Sequence, residues 1–561
     1  MIARRFRFGV LASLIWLGVA GRVASAATYY VSPSGNDGSV GSMLAPWQTL
    51  QKAGDVAAAG DDVIVLAGTY RGFRARNSGT ALAPIRFLAV PGVIVTSPGV
   101  ANANSDNIWV RDADYVVIDG FESHHAPRAG VAVQGEPETN ATGVVIRNCF
   151  CHDNGRWGIF TGFARDLLIE DNETSFSVAE HGIYVSNSGD RPIVRRNHVH
   201  DNHAAGIQLN ADPAQQGPDP TDPQGDGIIN DALVEANVIH DNGVGGAAAI
   251  NLASVRTSLI RNNLLYNNHA SGIAGWDDGD GNEWGTRDNR FVGNTIVQAS
   301  NGRFAIGLKD GSINNQVLNN ILIHPGARGS LEVDPSSQPG LQSDYNVVVN
   351  VFSDDSTFYS FAAWQGFGFD AHSFIAAPAA VFVNAAADDY HLASGSPAID
   401  AGTPVDVLPN DLDGGVRPQG LGFDIGAYEA DGAPGTPVPS ATATPTPSPT
   451  PRPTPSLTPT RRPSNTATPT LTRRPTVTAT ASPSATRTRT PSLTPTRTFT
   501  RRPTITPTRT SARRPTLTRT PTRTATFTRR PTRTPTRTFT QRPTITRTPT
   551  PTRRPTRTVT P

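Results

Sequence analysis

The stretch Arg195–Asn210, RRNHVHDNHAAGIQLN, comes back in altered form along the chain. It appears as EANVIHDNGVGGAAAINL at Glu235–Leu252, IRNNLLYNNHASGIAGW at Ile260–Trp276 and LNNILIHPGARGSLEV at Leu318–Val333, and earlier as IRNCFCHDNGRWGIFTG at Ile146–Gly162. One Asn keeps register through these segments, as Asn172, Asn197, Asn237, Asn263, Asn294 and Asn320, in steps of 25, 40, 26, 31 and 26 residues, with Cys149 in the same place one turn earlier. Self-similarity at this period, with β-branched residues in alternation and no helical 3.6-residue spacing, predicts stacked coils of short strands, a solenoid.

Side-chain alternation assigns the faces. An inward Asn can hydrogen-bond its counterparts above and below, while Cys151, Val199, Ile239, Leu265 and Ile296, two residues on, fill the core. The third residue after the Asn column points out, giving a stripe of His152, His200, His240 and Tyr266, with His124 in an earlier coil. A histidine stripe is a metal signature, but neighbouring coils offer no obvious third ligand, and hydrogen bonding along the stack accounts for it more simply. In the strand after the Gly-Ile step, Ile183, Val185, Ile207, Leu209, Ile273, Ile306, Leu308, Leu331 and Val333 are expected inside. Their neighbours Tyr184, Gln208, Asn210, Asn251, Trp276, Lys309, Glu332 and Asp334 face outward and mix an aromatic ring, amides, carboxylates and a lysine, as a sugar-binding groove does.

This pattern resembles the right-handed parallel β-helix proteins of the pectate-lyase-like superfamily. The opening YYVSPSGNDGSVGSMLAPWQTLQKA and GDDVIVLAGTYRG is similar to the amino-terminal cap and first coil of secreted members related to polysaccharide lyase family 9, with Trp47 to Ala57 as a capping helix. The run SGSPAIDAGTP, DLDGGVRPQG and FDIGAYE resembles a closing segment common in secreted bacterial β-helix proteins. The resemblance implies an all-β, right-handed parallel β-helix over about residues 28 to 430 and leaves the reaction open, because the fold carries lyases, hydrolases, epimerases and binders alike.

Four segments follow: a signal peptide at 1–26, the β-helix at 27–345, carboxy-terminal coils and closing cap at 346–432, and a disordered Thr/Pro/Arg-rich tail at 433–561. Arg4, Arg5 and Arg7 precede the apolar run FGVLASLIWLGVA and the small residues Ala24-Ser25-Ala26, as in exported proteins, so a secreted or cell-surface location is expected. No later stretch has the apolar length of a membrane span. Cys149 and Cys151 are the sole cysteines, which excludes a disulfide framework and suggests two buried thiols on one strand face.

The net charge of +2 hides two opposed parts. From Thr436 onward there are about 24 Arg and no acidic residue, with RRP recurring at Arg461, Arg473, Arg501, Arg513, Arg529 and Arg553; about 25 basic residues then face 47 acidic ones in the rest. Such a tail cannot bury a core. It is expected to meet anionic cell-envelope polymers, with an inert spacer as the alternative. Nucleic acid is not an expected partner, and a monomer is expected.

Chemistry is expected where two insertions leave the same edge of the solenoid, ADPAQQGPDPTDPQGDGIIND after Asn210 and DDGDGNEWGTRD after Trp276. Asp277, Asp278 and Asp280 put hard oxygen donors on a glycine-flexible loop, a composition suited to Ca²⁺. WDDGDG at 276–281 is a loose analogue of the acidic SDDGFD-like motif of family 9 lyases. Lys309, one of two lysines, projects from the next coil and is the candidate base, with a pKa expected below the ordinary value beside a cation. The favoured reading is a calcium-assisted, lyase-like enzyme on an acidic, uronate-containing polysaccharide. Its substrate side would be Trp276, Tyr184, Gln208, Asn210, Asn251 and Glu332. A non-catalytic adhesion or glycan-binding protein is the second reading. A glycoside hydrolase pairing Asp277 or Asp278 with Asp310 is the third.

Overall fold

The structure, a computed structural model, describes residues 26–99, 105–137, 139–213, 226–406 and 409–430. The expected signal segment through residue 25, the middle of the first insertion at 214–225 and the tail lie outside the described residues.

Three sheets of twelve strands each run the length of the solenoid. The first begins at Thr28–Val31 and ends at Gln342–Asp344; the second spans Phe73–Ala75 to Phe358–Tyr359; the third spans Gly68–Arg71 to Phe374–Ile375. Every pairing in these sheets is parallel and joins a strand to its counterpart one coil on, except the terminal antiparallel pair Phe352–Ser353 with Phe358–Tyr359. Winding a chain this way satisfies each strand's backbone from the coils on either side, so no coil is stable alone.

Strands of three or four residues are held in register by what fills the interior. Cys151, Val199, Ile239, Leu265 and Ile296 are fully buried one above another, as are the nine core residues expected of the second sheet. The Asn column forms as expected and continues one coil further to Asn346. At Asn237 both the backbone N–H and the amide of Asn197 donate to Oδ1 at 3.0 Å, and Asn237 repeats this toward Asn263. Its second amide proton goes to the Val194 carbonyl at 3.0 Å. A buried bend is thus left with no unpaired polar atom.

A second ladder, not distinguished in the sequence, runs through Asn202, Asn242 and Asn268. It stands next to Asp201, Asp241 and Asn267, whose φ values of 53°, 55° and 51° place them in the left-handed region that Asp and Asn tolerate. The recurring HDN string therefore encodes an outward His, a left-handed corner and an inward ladder Asn.

The ends are closed differently. At the start, the helix is Leu50–Val56, capped by the Thr49 side chain, so it begins three residues later than expected; Trp47 packs outside it against Tyr29 with ring centroids 4.4 Å apart. At the far end Val381, Phe382, Tyr390, Ala398, Ile425 and Tyr428 cover the third sheet over Ile321, Ile323 and Val347. Asp411 of the NDLDGG turn accepts backbone N–H groups of Asp413, Gly415 and Glu429, a structural role that orders the closing segment. Cys149 and Cys151 are buried free thiols.

Candidate functional site

The outward face of the second sheet carries the candidate residues, and strand register sorts them into two columns. Phe160, Tyr184, Gln208, Asn251, Ala274, Gly307 and Glu332 follow one another in the first. Ser186, Asn210, Ala253 and Trp276 form the second, which Lys309 extends by pairing its N–H with the Gly275 carbonyl. Ala274 and Gly307 interrupt a run of larger side chains and make a hollow. A Cβ at Gly307 would meet nothing closer than 3.9 Å.

The hollow is a cavity of about 500 Å³ whose wall includes Trp276, Lys309, Asp310, Glu332 and Asp355. A second one of about 470 Å³, built on Trp157, Phe160, His181 and Tyr184, adjoins it through Asn251 and Trp276. Together they make a groove crossing the coils. From the Trp157–Gly162 strand to the Leu331–Val333 strand are six steps of about 4.8 Å, roughly 29 Å, enough for an oligosaccharide.

Lys309 Nζ lies 3.0 Å from Glu332 Oε2 and 2.5 Å from Asp355 Oδ1. Burial pulls the ammonium down, but the bonds to Asp355 and Glu332 outweigh it and hold Lys309 above its ordinary value, opposite to the direction expected from the sequence. The pairing with Asp310 that adjacency suggests is not the one formed. Asp310 is itself pushed up, by burial and then by Asp277 and Asp334. The field there is net negative despite Lys309.

The acidic loop is partly spoken for. Asp277 is buried and accepts the N–H groups of Gly279 at 2.7 Å and Gly281 at 3.0 Å, so it shapes its own turn. Asp278 accepts from Asn210 Nδ2 at 2.7 Å. Asp280 is pushed up by slight burial and then by Asp278 and Asp277. Each carboxylate oxygen has two lone pairs, so a cation can still be accepted. Gln208 and Asn251 are buried and bonded to each other at 2.9 Å. Trp276 Nε1 is shielded from solvent with no partner among the described residues.

Several groove residues went unread. Phe160 is the register mate of Tyr184, and the same alternation reaches it; Trp157 stacks on it at 4.3 Å and donates to Glu180 at 2.7 Å. Asp355, 46 residues beyond Lys309, carries no local signal. Arg303 and Arg328 line the main cavity, both exposed and neither with an acidic partner among the described residues.

The family model for the right handed beta helix region matches residues 93–216. A crystal structure of pectate lyase Pel9A superposes with a TM-score of 0.51 at 17% identity, covering 73% of this chain and 97% of that one. The fold is a right-handed parallel β-helix. Among curated proteins, the uncharacterized protein YwoF of Bacillus subtilis is 28% identical over 226 residues, 36% of this chain and 48% of that protein. Pectate lyase PEL9 of Emericella nidulans is 32% identical over 139 residues, 22% of this chain and 34% of that enzyme. The chain thus spans half or less of the curated relatives it matches. Among the described residues no helix is long and apolar enough to cross a membrane.

Proposed function

We propose that this chain is a secreted, polysaccharide lyase-like enzyme acting on a uronate-containing glycan with the help of Ca²⁺. The observation that carries the reading is the main cavity, where one lysine held by two carboxylates shares the wall with two guanidinium groups that have no acidic partner among the described residues, at the end of an aromatic and amide-lined groove. The partial likeness to pectate lyase PEL9 supports the substrate class. Arg303 and Arg328 suit a uronate carboxylate, which guanidinium can grip bidentately. Trp276 and Tyr184 offer ring faces to sugar.

Asp277, Asp278 and Asp280 would hold Ca²⁺. They are hard oxygen donors of the kind Ca²⁺ takes, next to an Asp310 carboxyl raised by burial and then by Asp277 and Asp334, and the loop would have to draw them together, since among the described residues they form no convergent group. Bound there, the ion would neutralise the substrate carboxylate and acidify the proton on the carbon beside it. Lys309 is placed to take that proton once it is free of its own. Its partner Asp355 stands on a half-exposed side chain that arriving substrate can displace, after which Glu332 alone opposes the pull of burial toward the neutral amine.

The doubly paired ammonium also favours a second reading, a non-catalytic glycan-binding protein in which Lys309 is a fixed positive charge. Incubation with a panel of uronate-containing polysaccharides, pectate and alginate among them, separates the two. Rising ultraviolet absorbance of an unsaturated product, suppressed by chelator, is the expected result. Binding without product leaves the second reading, and neither binding nor product rejects both.

A further inference from the structure

The third sheet presents a different chemistry on its outer face. Register places Glu173 beside His198 in one outward column, and His200 beside His240 in the other, two residues along the strands. The stripe read from the sequence lacked a third ligand; His198 and Glu173, in the parallel column, supply it. His198 Nε2 and His240 Nε2 are 2.8 Å apart, and His200 Nε2 is 3.3 Å from Glu173 Oε1. One ligand atom each of Glu173, His198 and His200 lies within 4.8 Å of the other two, and His240 stands outside this trio and adjoins it through His198 Nε2.

The proton inventory makes this convergence informative. His200 Nδ1 bonds Asp201 at 2.8 Å and His240 Nδ1 bonds Asp241 at 2.7 Å. Against a carboxylate, Nδ1 must be the protonated nitrogen, so each Nε2 presents a lone pair. Asp241 is in turn held by the Asn267 amide. A lone pair on His200 Nε2 then faces a carboxylate oxygen, acceptor against acceptor, and the pair needs a cation between them: a proton or a metal ion. Imidazoles oriented through Nδ1 by carboxylates are how proteins build transition-metal sites; the His200 and His240 rings stack 5.0 Å apart at 6°, so one of them must swing for both to meet a single ion.

The arrangement recurs earlier on the same face. His152 Nδ1 bonds Asp153 at 2.7 Å, and its Nε2, shielded from solvent without a hydrogen-bond partner among the described residues, lies 3.5 Å from Glu122, with His124 alongside.

We propose that Glu173, His198, His200 and His240 form a binding site for a Zn²⁺-class divalent cation, separate from the acidic loop of the groove. Three nitrogens and one carboxylate oxygen suit a borderline ion and not Ca²⁺, which takes six to eight oxygens. The ligands come from three consecutive strands, Glu173–Ser175, His198–His200 and Val238–His240, so the ion ties three coils together. Asp201 and Asp241 act as positioning residues.

The test uses the full chain prepared without a polyhistidine tag, stripped with chelator and titrated with Zn²⁺ by calorimetry. His200→Gln and His240→Gln should each lower affinity for one equivalent roughly 10- to 100-fold or more and abolish the Zn²⁺-induced rise in melting temperature; Asp201→Asn should do so to a lesser degree. His269→Gln, a surface substitution outside the cluster, should change nothing. Co²⁺ in place of Zn²⁺ should give a visible d–d spectrum in the wild type and lose it in His240→Gln. Unchanged metal-free melting temperatures certify the fold of each variant. Equal Zn²⁺ binding by wild type and both Gln variants would overturn the proposal, as would a wild type showing neither heat nor thermal shift, which leaves only a proton between His200 and Glu173. Loss of the binding only in His152→Gln would move the site to the earlier cluster and equally overturn this assignment.

Discussion

The inside of the solenoid and its groove are built on opposite rules. Inside, one solution is repeated: Asn237 does for its coil what Asn197 and Asn263 do for theirs, with the same bonds to the same partners. In the groove each residue does its work once, and Lys309 is completed by Asp355, two strands of that sheet further on. Repetition confers stability that no single coil could have, and a site can then be laid on it without regard to the period.

The largest expected effect tests the repeated half. Asn237→Ala removes the acceptor of two buried donors on Asn197 and the side-chain amide's bonds to Asn263 and Val194, while the backbone N–H keeps its bond to Asn263. With a buried unpaired group costing about 1–3 kcal/mol, the loss should be on the order of 3–6 kcal/mol. Asn210→Ala, an outward residue losing its bond to Asp278 and the one it accepts from the Asp212 N–H, should cost no more than about 2 kcal/mol. Denaturant midpoints give both; similar costs would erase the distinction between ladder and groove.

Next comes the centre of the groove. If the lyase reading holds, Lys309→Ala should lower turnover by roughly 10²- to 10⁴-fold, the range of a positioned general base. Melting temperature should barely change, since Lys309 is half-exposed and joins only Glu332 and Asp355. Full activity in this variant would remove Lys309 from the chemistry.

This contrast also explains what could be read in advance. The Asn column, the core residues two positions on and the closing segment are periodic or local, and hydrophobic alternation shows them directly. Tyr184, Gln208, Asn251 and Glu332 were legible as one face because alternation also sorts the outside. Alternation cannot say what an outward residue touches. Asp277 has an acidic loop's composition but gives its oxygens to Gly279 and Gly281, and the lysine's direction of shift depends on Asp355, whose nearness is purely tertiary. His198 was hidden by its own stripe, one column aside from the residue being counted.

A smaller effect should appear with pH. Burial drives the His181 imidazole down to about 4, with Glu180 opposing only in part, and its Nδ1 accepts the Ala205 N–H at 3.1 Å. The ordinary imidazole value is about 6.5, so between there and about 4 the unfolded chain binds the extra proton and the folded one does not. Stability is then fully present above pH 6.5 and lost as pH falls through this window, by about 3–4 kcal/mol at most. His181→Asn should flatten the slope of unfolding free energy over that range. A slope that survives the substitution assigns acid sensitivity elsewhere.

The smallest expected effect concerns the two arginines, and it probes substrate charge, the part of the groove with least precedent in the repeat. Arg303 and Arg328 are exposed, so a contact from either to a uronate carboxylate is a charge-assisted bond in water, worth about 1–1.5 kcal/mol. Arg303→Ala and Arg328→Ala should each weaken binding of a polyuronate about tenfold, and the loss should shrink with added salt, as the Debye length of about 8 Å at physiological ionic strength implies. Turnover at saturation should hold, because the contact is made equally before and during reaction. Arg328 also lies over Phe304 and Phe358, with its guanidinium 5.9 and 5.7 Å from the ring centroids, so Arg328→Lys keeps the charge but loses the flat group that the rings orient. It should fall between wild type and the Ala variant. The decisive comparison is with the same polymer after its carboxylates are esterified. Arginine loss should then have little effect, whereas an equal loss on charged and esterified polymer would mean that these side chains shape the groove and do not read the acid.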